Sequence, residues 1–299
     1  SSSAASDVYK RQVYIFALAI RKQNYNINLK TNKMSKNILI TGASSGFGLL
    51  IANELHRNGY NVIGTSRNPK KIQSKVPFKV IGLDLDSDQS INTLPERIFN
   101  EIDQLDILIN NAGFLVNGLA EEIPIELGRK QFETNFWGTI KVTNAILPHF
   151  RKQKSGKIIT VGSIVGLVAF PSTSYYAASK HALEGYYKSL RYELTEFNIS
   201  VAMIEPGSFK TNIMENASTS TNKIEDYNSL RVKTERYADF IVQQGEDAKL
   251  VADKVLKVVE TDKPKFRNLV GKGLSVLVTL QLFAYGMLEK TVLKQLNNA

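Results

Sequence analysis

The stretch STSYYAASKHAL, residues 172–183, sets two tyrosines ahead of one lysine among small residues. Side chains four apart on a helix share a face, whereas those five apart are turned well away from each other. On a helix Tyr176 therefore faces Lys180, and Tyr175 does not. A phenol beside an ammonium is a candidate proton carrier. A free phenol ionises near pH ~10, and a neighbouring positive charge favours the phenolate and brings the group toward neutral pH. The pair alone is equally compatible with an ordinary exposed helix face. It carries chemistry only if the rest of the chain builds a site around it.

Two further stretches bear on such a site. TGASSGFG, Thr41–Gly48, lies between an apolar run and the helical pattern FGLLIANELHRNG. Gly42, Gly46 and Gly48 permit a tight turn with close backbone approach, and a helix N-terminus favours a pyrophosphate. The spacing is G-x-x-x-G-x-G, not the G-x-G-x-x-G of the general dinucleotide fingerprint, and a purely structural turn is the competing reading. The next stretch, GTSRNPKK at 64–71, stands where an NAD enzyme of this architecture carries an acid, about 20 residues past the glycines. Here Ser66 is followed by Arg67, with Lys70 and Lys71 close behind, and Glu54 is the only acid between Gly48 and Asp84. A guanidinium without a carboxylate neighbour suits a 2′-phosphate, so NADP(H) is expected over NAD(H). A solvated basic loop is the alternative.

The elements that must position these residues alternate along the chain. Short apolar β-type runs occur at 37–41, 60–66, 78–84, 105–111, 156–163, 198–206 and 266–271, separated by helix-length segments. This pattern predicts an α/β fold: a single Rossmann-type doubly wound domain with a seven-stranded parallel sheet flanked by helices. Ligands of such sheets sit beyond the carboxyl ends of the strands, at the topological switch point. The glycine turn and Arg67 both follow strands.

Composition narrows the function. The 299 residues are 43% hydrophobic, enough for a substantial core, and include no cysteine, which removes disulfides, thiolate metal sites and a cysteine nucleophile. His56, His149 and His181 show no metal-ligand spacing. Residues 1–33 carry six Lys/Arg and one Asp, +5 of the formal +10. They are read as a non-native or disordered extension. DVYKRQ (7–12) is what one frame of a common transposon-adaptor DNA encodes, so 1–12 are expected to be an artefact and 13–33 translated upstream sequence, with translation beginning at Met34. The rival reading is a targeting segment around the apolar VYIFALAI, 13–20. The expected domain then covers 34–271, with a helical tail over 272–299. Its net charge of about +5 is ordinary and gives no case for nucleic-acid binding. No apolar run reaches the ~18 residues a membrane span needs.

From Asn37 to about Gly271 the chain resembles a short-chain dehydrogenase/reductase. The matching pieces are TGASSGFG, LDLD at 83–86, NNAG at 110–113, Asn135 in ETNFWG, Ser163 in VGS, YAASK at 176–180 and PGSFKT at 206–211. A looser likeness to hydroxysteroid and retinol dehydrogenase-like members comes partly from KFRNLVGKG. The resemblance implies a catalytic set of Asn135, Ser163, Tyr176 and Lys180. Tyr176 would be the acid/base, Ser163 would hold the substrate oxygen, Lys180 would also bind the nicotinamide ribose, and Asn135 would hold a relay water. It further implies cofactor contacts at Gly42, Ser44, Ser45, Gly46, Phe47 and Gly48 in the turn, with Arg67 after them. Asp84 and Leu85 would touch adenine, Asn111 and Gly113 would line the cofactor, and Pro206, Gly207 and Thr211 would border the nicotinamide. Ser45 departs from many NADP-dependent relatives, which carry a basic residue there, so phosphate recognition would rest on Arg67.

The expected activity is NADP(H)-linked interconversion of a carbonyl and an alcohol on a lipophilic small molecule. The alternative is a catalytically idle NADP(H)-binding protein. Substrate contacts are expected from a lid over 208–245, with Phe209, Ile213, Met214, Tyr227 and Tyr237 as candidates. Helical segments near 125–152 and 173–197 resemble the family's dimer-forming helices, which implies a homodimer or homotetramer. The tail 274–296 is expected to pack as a helix or to lie on a membrane surface, in an otherwise cytoplasmic protein.

Overall fold

The structure, a computed structural model, describes residues 35–209 and 217–298, and every element below belongs to the unit Asn37–Ala299. Thr211, Ile213 and Met214 lie outside the described residues, as does the extension 1–33.

Strands β1 (Asn37–Ile40), β2 (Asn61–Ser66), β3 (Lys79–Gly82), β4 (Ile107–Asn110), β5 (Gly156–Val161), β6 (Ile199–Pro206) and β7 (Arg267–Val270) form one sheet. The order is β3-β2-β1-β4-β5-β6-β7, with every pairing parallel. All seven expected runs are strands, and their ends fall within two residues of the expected bounds. The helices of eight residues or more are α1 (Gly46–Arg57), α2 (Ile125–Phe132), α3 (Thr139–Gln153), α4 (Ser174–Glu193), α5 (Asn228–Gln243), α6 (Lys249–Glu260), α7 (Leu274–Phe283) and α8 (Tyr285–Asn298).

Strand side chains alternate between faces, so a strand buried on both sides must be apolar throughout. In β1, Ile38 and Ile40 join Ile51 and Leu55 of α1 and Val251 and Val255 of α6 in one core. Leu39 joins Val142, Ile146 and Phe150 of α3 and Leu183 and Tyr187 of α4 in the other. Each buried Ile or Leu of these two layers contributes roughly 1.5–3 kcal/mol.

Polar ties fix how the helices that carry the site are rotated. The fully buried Tyr187 of α4 shares a 2.7 Å hydrogen bond with Thr143 of α3 and accepts from the Asn110 amide of β4 at 3.0 Å. Lys157 of β5 donates to the carbonyls of Val258, Val259 and Thr261, satisfying the orphan acceptors at the end of α6. β1 and β4 are neighbours although the chain runs outward from them in opposite directions, so the crevice at their carboxyl ends is the switch point.

Candidate active site

The glycine turn closes the β1 end of this crevice. Gly42 and Gly46 have φ of 70° and 53°, the left-handed region that favours glycine. Gly48 is required by space instead: a Cβ there would stand 2.1 Å from the Gly42 carbonyl oxygen and 2.4 Å from the Asn111 amide nitrogen. The turn is also bonded to the end of β4. The Thr41 hydroxyl accepts from the amides of Asn111 and Ala112, both at 3.0 Å, and Asn111 Nδ2 donates to the Thr41 carbonyl at 3.0 Å. The first turn of α1 holds no acid, and Ser45, its exposed N-cap, makes no side-chain cap bond, so the amides at this terminus are left to face solvent or a ligand.

The other sequence-predicted cofactor residues follow their strands. Arg67 is exposed just past β2 and forms no ion pair among the described residues. Asp84 follows β3, and its Oδ1 accepts from the Asp86 amide at 3.2 Å. Leu85 is buried against the site of Gly138, where a Cβ would stand 2.6 Å from the Leu85 carbonyl. Gly113 lies against Asn135, whose Oδ1 would be 3.0 Å from an added Cβ.

Asn135 sits in a π-helical segment, Glu133–Gly138, between α2 and α3. Such wider turns recur at functional positions. Its amide grips the backbone of Phe114 from both sides, accepting from the N–H at 2.9 Å and donating to the carbonyl at 2.8 Å, and it reaches Ser179 of α4 at 3.4 Å. Asn135 thereby joins the loop after β4 to the helix bearing Tyr176.

Ser163 follows β5 and caps a short 3-10 turn, accepting from the Val165 amide at 3.3 Å. α4 then brings Tyr176 and Lys180 to the same place. The Lys180 ammonium lies 5.7 Å from the Tyr176 ring centre and donates to the Val161 carbonyl, the last of β5, at 3.0 Å. The paired tyrosines separate as the helical spacing requires. Tyr175 packs on α2, where a Cβ on Gly128 would stand 2.3 Å from its ring.

Burial dominates the proton affinities of this pair. It pushes the Tyr176 phenol up to about 12, with Ser163 opposing, and Lys180 is not among the leading influences. Its ammonium is spent on a carbonyl, and burial brings it down to about 8, with Glu184 opposing. Tyr176 is therefore a phenol, not a phenolate, at neutral pH.

Ser163, Tyr176 and Lys180 lie on the wall of one open cleft. Phe47, Asn111, Gly113, Pro206 and Gly207, which the family resemblance implies as cofactor contacts, also line it. Its remaining wall is largely apolar and includes Phe114, Val165, Phe170, Tyr237 and Ile241. Tyr237 and Phe209 were expected there; Phe209 stacks edge-on against Phe47 with ring centres 5.7 Å apart. Tyr227 is not part of this wall; its hydroxyl donates to Glu121 at 2.7 Å. Phe114, Val165 and Phe170 were missed. The only signal for them was apolar character next to the NNAG, VGS and YAASK motifs.

Known proteins agree with this architecture. Residues 36–222 match the family model described as short chain dehydrogenase. The uncharacterized oxidoreductase YusZ of Bacillus subtilis is 38% identical over 282 residues, covering 88% of this chain and 99% of that protein. A 3-ketodihydrosphingosine reductase of Bacteroides thetaiotaomicron is 37% identical over 242 residues, covering 80% of this chain and 89% of the other. Among solved structures, a short-chain dehydrogenase from Streptomyces avermitilis superposes with a TM-score of 0.76 at 29% identity, covering 90% of this chain and 99% of that one. ElxO with NADP bound superposes with a TM-score of 0.69 at 25% identity, over 81% of this chain and all of that one. With its seven-stranded Rossmann-type sheet and this agreement over most of its length, the chain belongs to the short-chain dehydrogenase/reductase family of oxidoreductases.

Proposed function

We propose that the protein is an NADP(H)-linked reductase of lipophilic carbonyl compounds, with Tyr176 as the proton donor. The observation that carries this reading is the Tyr176 phenol sharing the wall of a largely apolar cleft with Ser163 and Lys180. Asn135, Ser163, Tyr176 and Lys180 are all present and brought together, which disfavours the idle binding protein.

The residues of the crevice fit a dinucleotide. Gly48 leaves a space that a Cβ would fill, the acid-free start of α1 suits a pyrophosphate, and Arg67 stands where a 2′-phosphate would reach. When bound, the cofactor supplies a hydride to the carbonyl carbon. Ser163 and Tyr176 both hydrogen-bond the carbonyl oxygen, and Tyr176 gives it the proton that completes the alcohol. Lys180, anchored on Val161, presents its charge to the cofactor side of Tyr176. At neutral pH the phenol carries the proton that reduction requires. The NADP-bound ElxO and the ketosphingoid reductase among its relatives support the cofactor and a lipophilic substrate respectively.

Arg67→Ala is expected to weaken NADPH about tenfold or more while changing NADH binding little, since a charge-assisted phosphate contact is lost only with the former. Equal losses for both in a fluorescence titration would remove the 2′-phosphate assignment. Substrate preference follows from the cleft: NADPH oxidation with straight-chain ketones of rising length should show KM falling with each added methylene, roughly threefold to fourfold per group while the apolar wall lasts. A KM indifferent to chain length would contradict a lipophilic substrate.

Peripheral membrane contact belongs to the same reading. α7 has no buried residue, and Val276, Leu282 and Phe283 are 64%, 66% and 84% exposed. No charge occurs from Leu274 to Leu288, while residues 263–298 hold six basic side chains and one acid, an arrangement suited to an anionic lipid surface. Leu274 packs over Gly207 at the cleft, 3.1 Å from where its Cβ would be, so the apolar helix begins beside the site. Among the described residues no helix is long and apolar enough to cross a membrane. Binding to phosphatidylserine-containing vesicles, abolished in Leu282→Glu/Phe283→Glu, is the expected result; a parent protein that ignores such vesicles would end this part. A homodimer or homotetramer through the helical segments near 125–152 and 173–197 is likewise proposed from family resemblance.

A further inference from the structure

Behind Lys180 the protein buries a charge cluster that neither the four motif residues nor the cofactor cradle uses. Glu184 is one helical turn beyond Lys180 on α4 and is 8% exposed. One of its oxygens accepts from Arg267 of β7 at 3.1 Å. Arg267 also donates to Glu205 of β6 at 3.2 Å, and Glu205, wholly buried, accepts from the Asn268 amide at 2.7 Å. Two buried carboxylates thus share one guanidinium. The second oxygen of Glu184 is buried without a hydrogen-bond partner among the described residues. It faces Gly162, 3.6 Å from where a Cβ of that glycine would be, and Gly162 lies between Val161, which anchors Lys180, and Ser163.

A buried carboxylate oxygen without a hydrogen-bond partner is costly unless a nearby cation balances it. Lys180 is that cation. We infer that Glu184, clamped by Arg267, is a positioning residue whose charge keeps Lys180 an ammonium through the reaction cycle. It touches neither substrate nor cofactor and acts through Lys180. Arg267 orients it from the far edge of the sheet by holding one of its two oxygens. Burial lowers Lys180 while Glu184 raises it. Burial raises Glu184 itself and Arg267 opposes that rise, so the Arg267 clamp is what favours its charged form, while burial raises Glu205 to about 8 and leaves Arg267 mainly to Glu184. The charged groups facing Glu184 are Arg267 and Glu205 across the sheet edge and, on its own helix, Lys180, His181 and Lys188.

This role rests on the carbonyl-reductase reading, and its test keeps the two apart. The pH dependence of kcat/KM for ketone reduction is measured in the parent, Glu184→Asp and Glu184→Gln, with NADPH binding as the check of folding. Lys180 loses its proton at the alkaline limb. Removing the Glu184 charge lowers that proton affinity, so the limb moves to lower pH, by about one unit in Glu184→Gln and by less in Glu184→Asp. A one-unit shift is a tenfold loss of rate above the limb at fixed pH. If Glu184→Gln does not bind NADPH, Glu184→Asp decides alone: a lowered limb supports the role. A limb unmoved or raised overturns it, even if the rate falls, since a merely structural side chain would reduce rate without shifting the profile. A parent that reduces no carbonyl would defeat the reductase reading instead.

Discussion

Tyr176→Phe is expected to lower kcat for carbonyl reduction about 10³-fold, within the 10²–10⁴ range that a positioned general acid supplies. The substitution removes one oxygen and keeps the ring against its neighbours, so NADPH affinity and thermal stability should stay close to the parent's. The loss should fall on kcat and kcat/KM together, because the proton is transferred only as the transition state forms. Tyr175→Phe serves as the internal comparison. Its ring packs on Gly128 of α2, and its hydroxyl has no part in the proposed chemistry, so turnover should be retained. A Tyr176→Phe variant within tenfold of the parent would move the proton donor elsewhere.

The second large effect is expected at Gly48, and it should fall on binding. An added methyl would lie 2.1 Å from the Gly42 carbonyl and 2.4 Å from the Asn111 amide, so Gly48→Ala must push the turn open or break its bonds to β4. NADPH affinity should drop by about two orders of magnitude, near 2.7 kcal/mol, with the far-ultraviolet circular dichroism preserved. Gly46→Ala makes the contrast. Nothing lies within 4 Å of its missing Cβ, so only the left-handed backbone resists, at about 1–2 kcal/mol. Equal effects from the two variants in an isothermal titration would mean that space at Gly48 is not what shapes the cradle.

Local patterns were legible in the sequence. The seven apolar runs declared the sheet because a strand covered on both faces has no polar alternation, and the glycine turn, Ser163 and the Tyr176/Lys180 spacing all depend on residues near one another in the chain. The separation of Tyr175 from Tyr176 was readable from helical geometry alone. What stayed hidden depends on residues far apart. Glu184, Glu205 and Arg267 meet only because β6 and β7 pair beside α4, and no local signal distinguishes Glu184 from an exposed helical glutamate. The Tyr187 hydroxyl and Lys157 likewise find partners across 44 and about 100 residues, respectively. The π-helical turn that holds Asn135 leaves no mark in ETNFWG that periodicity could read. The environment of Tyr176 is hidden for a related reason. Sequence spacing shows that a lysine is near, but not that its ammonium is committed to Val161 or that burial outweighs it.

The central claim is that this chain moves a hydride between a nicotinamide and a carbonyl carbon while Tyr176 supplies the proton. The most direct test uses NADPH carrying deuterium at the reactive C4 position, a medium-chain ketone in ordinary water, and mass spectrometry of the product. The account predicts an alcohol with one deuterium on the carbinol carbon and none elsewhere, formed by the parent and nearly absent with Tyr176→Phe. Product whose carbinol hydrogen comes from solvent, or labelled product formed as fast by Tyr176→Phe as by the parent, would contradict it.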